Sequence, residues 1–412
     1  MLWTGTFKGL SVGTGNYELH PSIVDEIWAE TADATKTIPS AFVRSFAGGK
    51  GKFTAESWSF WFLYVAPGVL QGRLHIVYHK HACDLSVIIK RCLKFGITMD
   101  EIDDLERKII DWVREYERQV LLYYQYKEGR LCTCTLTVHG LFHIPNDIRN
   151  CGPEWATWTF FMERYCGFLK RGLQSKRFPW ANLNNRLLNI AYFEQLRVRY
   201  DVSADLHSHS TDPQTVLIHP CASSNIPAPN ITQKIAEYFS NLIGSHLIKP
   251  SKIRASLPRK MARWSRVRIV DGDRIRAAYT PAEEADGLRD NTFVRYETEI
   301  EQKVQGEWRW VQILGYGRLD EILECRLPSD DSLRAYSGQL RLLAVITPCS
   351  TVGRDATQNI VSYTQTNRQI VVDLAGVMAA VGRFQSRGKW FIVDRTGGFV
   401  KPEFIPHADH DA

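Results

Sequence analysis

The sequence predicts an α+β protein, with an all-helical N-terminal region followed by a small antiparallel β-rich domain. Three observations lead there. Apolar residues recur at helical spacing over the first two hundred positions. From about residue 249 they alternate with period two between Gly and Asp clusters. Between these stretches, residues 203–229 hold Ser, His, Thr and four prolines and read as a linker. The expected division is therefore 1–202 helical, 203–248 linker with one short helix, and 249–412 β-rich.

Each element has its own local signal. Pro21 opens a helix with Ile23, Ile27 and Ala34 on one side, closed before Pro39. Residues 55–65 form an aromatic helix expected to be buried. Residues 84–95 follow, ended by Gly96. Thr98-Met99-Asp100-Glu101 is a capping box. It launches an amphipathic helix with Ile102, Leu105, Ile109, Trp112, Val113 and Tyr116 on its stripe. Helices over 139–149, 155–173 and 183–199 complete the array, and 232–243 is the short helix of the linker. Strands are expected at 267–270, 293–298, 308–313, 340–346 and 390–393. Residues 315–320 and 393–398 are expected to be tight turns.

Bulk properties set limits on function. The 412 residues suffice for two or three domains, each with its own core. A net charge of +6 is mild, so any contact with nucleic acid must come from local clustering. The nine cysteines follow no framework and imply reduced thiols. No basic segment precedes an apolar run at the start, and no apolar stretch is long enough to span a bilayer. The expectation is a soluble intracellular protein.

The densest motif lies between Asn146 and Lys170. It holds Gly152-Pro153, Trp158 and Phe160, Glu163-Arg164, then Gly167 and Leu169-Lys170. A lone carboxylate among bulky aromatics requires an explanation. These motifs, in this order, resemble the C-terminal part of CACTA (En/Spm-type) DDE transposases of the fungal branch, over residues 1 to about 200.

The resemblance implies a helical insertion plus the last helices of an incomplete RNase H-like fold. It makes Glu163 the third acid of the catalytic metal site, binding Mg²⁺ or Mn²⁺ only if upstream acids complete that site. Only about twenty residues precede the first helix, with Glu18 as their one acid. The expectation is thus a transposase-derived fragment, nuclear, associating with transposon-end DNA and catalytically incomplete alone. The competing reading of Glu163 is a surface acid paired with Arg164 or Lys170, worth under about 1 kcal/mol. The competing reading of the chain is a non-catalytic protein-interaction module with an incidental basic surface.

Two basic runs carry the expectation of DNA contact. Arg164, Lys170, Arg171, Lys176 and Arg177 surround Glu163, with Arg186 beyond them. Arg259, Lys260, Arg263 and Arg266 belong to a run from Lys249 to Arg268, in which Trp264 is a candidate to stack on an unpaired base.

Cys132, Cys134, His139 and His143 form a possible zinc group, although two His four apart also suit a buried helical stripe. His75, His79, His81 and Cys83 form a second loose group. Trp308, Trp310 and Tyr316 suggest an aromatic pocket for a peptide, against the alternative that they are core.

Overall fold

The computed structural model describes residues 3, 17–43, 45–46, 53–117, 128–173, 177–200, 215–244, 247–269, 273–279, 289–304 and 307–398. It is a mixed helical and antiparallel-sheet protein. Among the described residues every strand lies C-terminal to residue 215.

The helices form for local reasons. α1 (Pro21–Ala34) starts with Pro21, and the His20 ring accepts from the Ser22 amide. α2 (Ala55–Phe60) is capped by Thr54, then widens through a π turn at Trp61–Val65 into α3 (Ala66–Leu70). Pro67 has no N–H to give the Leu63 carbonyl, so the ladder breaks there. That carbonyl accepts instead from the Ser86 hydroxyl at 3.1 Å, on α4 (Ile76–Cys92).

α5 (Met99–Glu117) shows the predicted capping box in both directions: Glu101 N to Thr98 Oγ1 at 3.3 Å, and Thr98 N to Glu101 Oε2 at 3.0 Å. All six residues of its predicted stripe are buried. The single helix expected at 139–149 is instead α6 (Leu136–Gly140), a 3₁₀ turn, and α7 (Ile144–Cys151). Pro145, in the first turn of α7, accounts for the break. α8 (Phe160–Arg171) and α9 (Pro179–Tyr200) follow.

The segment expected to be a linker contributes β1 (Val216–Asn225) before α10 (Pro229–Ile243) and α11 (Pro250–Ser256). β2 (Met261–Arg268) pairs with β1, and Pro220, lacking a donor, lies where their register shifts between Ile218 and Cys221. β3 (Arg274–Arg276) adds to β2. β4 (Phe293–Val304) and the twenty-residue β5 (Glu307–Arg326) form the central hairpin.

β6 (Leu340–Pro348) pairs with the second half of β5, β8 (Ile370–Asp373) with β6, and β9 (Val377–Ala380) with β4. A separate three-stranded sheet joins β10 (Gly382–Ser386), β11 (Lys389–Val393) and the short β7 (Ser362–Tyr363). All of these strand pairings are antiparallel.

The turn expected at 315–320 is the interior of β5. Its glycines serve close approach instead. A Cβ on Gly317 would lie 2.5 Å from Ile346 Cγ2 and 2.7 Å from the Thr347 carbonyl on β6. The second expected turn is present, with Gly397 and Gly398 at positive φ.

The large sheet is covered on both faces, as alternation of side chains across a strand allows. Ile322, Leu342, Ala344 and Val372 join the core built by α1 to α5, which also takes in Phe384, Phe391 and Val393. Their neighbours Leu323, Leu343, Val345 and Val371 join a second core under α10 and α11. The helical half and the β-rich half therefore share one hydrophobic core across the expected linker.

Candidate nucleic-acid interface

The block that carries the resemblance starts from a fixed turn. Gly152 ends α7 at φ 84, a left-handed conformation suited to glycine, and its amide closes on Ile148 O at 2.9 Å. Trp155 then stacks on Phe95, ring centres 4.8 Å apart, and donates its indole N–H to the Phe95 carbonyl at 2.8 Å. Arg149 ties α7 to Asp103 and Glu106 of α5, each at 2.6 Å. α8 thus leaves a well-anchored base.

Glu163 lies on α8, but its side chain falls outside the described residues, as do those of Arg164 and Arg171; Lys176 lies outside them entirely. Lys170 and Arg177 are exposed. A Cβ on Gly167 would meet nothing within 4 Å, so that side of α8 is open. α9 packs back through Arg186, whose guanidinium lies 4.7 Å from the Phe168 ring.

Between residues 160 and 200 there are eight Lys or Arg and two acids, Glu163 and Glu194. This surplus of +6 matches the formal net charge of the whole chain. Exposed aromatics are interleaved with it: Tyr165, Trp180 (80% exposed), Tyr192 and Tyr200. Leu188, Ile190, Leu196 and Val198 are exposed on the same helix.

The second basic run is divided by the fold. Arg259 and Lys260 are exposed where α11 gives way to β2. Arg263 is held within the structure, its guanidinium over the Tyr279 ring and 3.7 Å from Glu321. Arg266 is half-buried in β2. Trp264 is buried and donates to Glu324 Oε2 at 3.2 Å, so it is not available for a base.

The possible metal ligands separate in the same way. Among the described residues, no three or more His, Cys, Asp or Glu are grouped for a metal ion. The carboxylate set implied for Mg²⁺ or Mn²⁺ is thus not formed by them. His139 and His143 are not on a buried stripe: both are exposed and face each other, Nε2 to Nε2 at 3.3 Å. Zn–N bonds of ~2.0–2.1 Å at the tetrahedral angle put two nitrogens ~3.3 Å apart, so the pair matches one edge of a zinc site. Cys132 and Cys134 are exposed and do not complete it.

His79 and His81 are core histidines. The His79 ring contacts Pro67 O at 2.8 Å. His81 stacks on Trp112 and contacts its carbonyl at 3.0 Å, while Trp112 donates back to His81 O at 2.9 Å. Burial lowers the His81 pKa.

A charge cluster lies beneath the sheet. Arg295 reaches Asp394, Asp355 and Thr396 at 3.0 to 3.1 Å, and the Tyr316 hydroxyl donates to Asp394 at 2.7 Å. Burial pushes the Tyr316 hydroxyl up, reinforced by Asp394. Asp394 and Tyr316 have no solvent access, and the cluster joins β4 and β5 to the segment after β11.

No family model matches the chain, and neither a curated protein nor a solved structure matches it. No helix among the described residues is long and apolar enough to cross a membrane.

Proposed function

We propose that the chain is a transposase-derived protein that associates with DNA through α8 and α9. The observation that carries this is the charge placement: a surplus of +6 within 41 residues, interleaved with exposed aromatic rings. Cations pair with phosphates and release counterions, and the aromatic faces suit unpaired bases. Catalysis would need further carboxylates beside Glu163, so cleavage is not expected of this polypeptide alone. Transposon-end DNA is the partner class the resemblance implies, and it sets the chain in the nucleus.

The test is affinity for duplex and single-stranded DNA over a salt series. Binding should weaken linearly in log–log form. Lys170→Ala and Arg177→Ala should each reduce the slope by ~0.7–0.9 if they contact phosphate. Binding indifferent to salt would rule the reading out.

A second reading has its own observation. Between its charges α9 exposes apolar side chains all round its axis, and aliphatic ones such as Leu188, Leu196 and Val198 gain little from a phosphate backbone. A protein partner would cover them, making the chain an interaction module with incidental charge. Association that persists in high salt and is lost in Leu196→Asp would favour it.

A further inference from the structure

Away from the basic helices, the α10 side of the sheet carries a groove of opposite charge. It has a volume of about 370 Å³ and runs between Tyr238 and Leu242 of α10, Tyr336, and the outer part of the β4–β5 hairpin. Glu297 and Glu299 line it from β4, two residues apart and so on one side of the strand. Glu299 is paired in register with Gln312, which makes Trp310 its diagonal neighbour on the same side. Trp310 is 49% exposed and forms part of the lining.

The opposite wall is braced. The Tyr238 hydroxyl donates to Asp373 Oδ2 at 3.4 Å, and Arg341 Nη1 reaches the same oxygen at 3.4 Å. The Arg341 guanidinium lies 5.1 Å from the centre of the Tyr336 ring. Arg341 therefore offsets Asp373, and Glu297 and Glu299 remain as the surplus. Arg295 comes within 3.5 Å of Glu297 but is shared with Asp355 and Asp394, and Gln312 Nε2 donates to Glu297 Oε2 at 2.9 Å, so Glu299 is the more open of the two acids.

A half-exposed indole beside two carboxylates, in a chain of net charge +6, is suited to a cation. The ring face supplies the attraction of its quadrupole and the acids supply charge. The sign excludes a phosphate backbone. An apolar ligand would desolvate the Glu299 carboxylate with nothing to offset its charge. The described residues group no three metal ligands.

We propose that this groove binds the ammonium-bearing side chain of a lysine in an extended basic peptide of a partner protein. The inference is independent of the DNA reading, which concerns another surface. Of the aromatics singled out in the sequence, Trp310 lines this groove and Tyr316 is wholly buried, while the Trp308 side chain falls outside the described residues.

The test uses the full chain and a fluorescent ten-residue peptide of alternating Lys and Gly, with a second version carrying trimethylated lysines. Anisotropy should report saturable binding of at least one version. Trp310→Ala should weaken it roughly three- to thirtyfold, the range of a cation–aromatic contact. Glu299→Gln should weaken it about two- to fivefold, less so as salt rises. Both residues are exposed, and unchanged near-ultraviolet circular dichroism will show that the variants keep the fold. No binding below millimolar peptide, or equal binding by the double variant, overturns the proposal. Spermidine binding as tightly as either peptide would assign the groove to free amines and overturn it as well.

Discussion

Arg295 of β4 holds the carboxylate of Asp394 at 3.0 Å, and the Asp394 side chain has no exposure to solvent. Burial works against the Arg295 charge, yet Asp394 and Asp355 hold its pKa above the ordinary range. Asp394→Ala would leave a buried guanidinium short of its main counter-ion. The expected loss is about 3–5 kcal/mol of unfolding free energy, read from urea titrations. Replacing both residues, as Arg295→Met with Asp394→Leu, should cost less than the single change, since no wholly buried charge is then left unpaired and Asp355, part-exposed, keeps its Thr357 bonds.

Asp355 makes stability depend on acidity. Burial raises its pKa, but the Thr357 amide and hydroxyl, each at 2.8 Å, and Arg295 outweigh that, so the net shift is downward. A lowered carboxyl contributes stability that is fully present above its unfolded value, near 3.9, and is lost as pH falls through the folded value. Asp355→Asn should therefore differ most from the parent at neutral pH. The gap should close below about pH 4. Urea midpoints at pH 7, 4 and 3 measure it, and a constant gap would count against the assignment.

Gly68 is the contact point between α3 and the β10–β11 hairpin. A Cβ there would lie 2.6 Å from Phe384 Cζ and 2.9 Å from Phe391 Cδ1, two rings stacked 5.2 Å apart. Gly68→Ala should cost about 1–3 kcal/mol through overpacking. Phe384→Leu in the same chain should recover part of that loss, a coupling that a double-mutant cycle detects.

His139 and His143 should chelate zinc or copper weakly, as a two-nitrogen pair open to water. Calorimetry with Zn²⁺ should show one site that disappears in His139→Ala and in His143→Ala. It should persist when Cys132 and Cys134 are both changed to Ser. Loss on removing the cysteines would show that all four residues act together.

Local signals were legible in the sequence wherever the cause is local. Thr98 and Glu101 cap α5 because both partners lie within one turn, and the buried stripe from Ile102 to Tyr116 follows from helical period alone. Gly315 and Gly317 were not legible. Their reason is a ring at Tyr296 and a backbone at Thr347, distant in sequence, and glycine marks a turn equally well. β1 was hidden because Pro220 and the polar run Ser223-Ser224-Asn225 break its alternation. In the basic runs, spacing does not say which arginine an acid will claim. Glu321 takes Arg263, while Arg259, four residues earlier, stays in water.

The core shared between α1–α5 and the strands has a consequence for how this chain can change over time. The β-rich half is not cargo trailing a helical body, because its side chains form the floor on which the helices rest. A lineage cannot discard or exchange it without also rebuilding α3 and α4. Among relatives of this protein, positions 68, 384 and 391 should drift as a set, with a larger residue at 68 tolerated only where one of the two phenylalanines has become smaller.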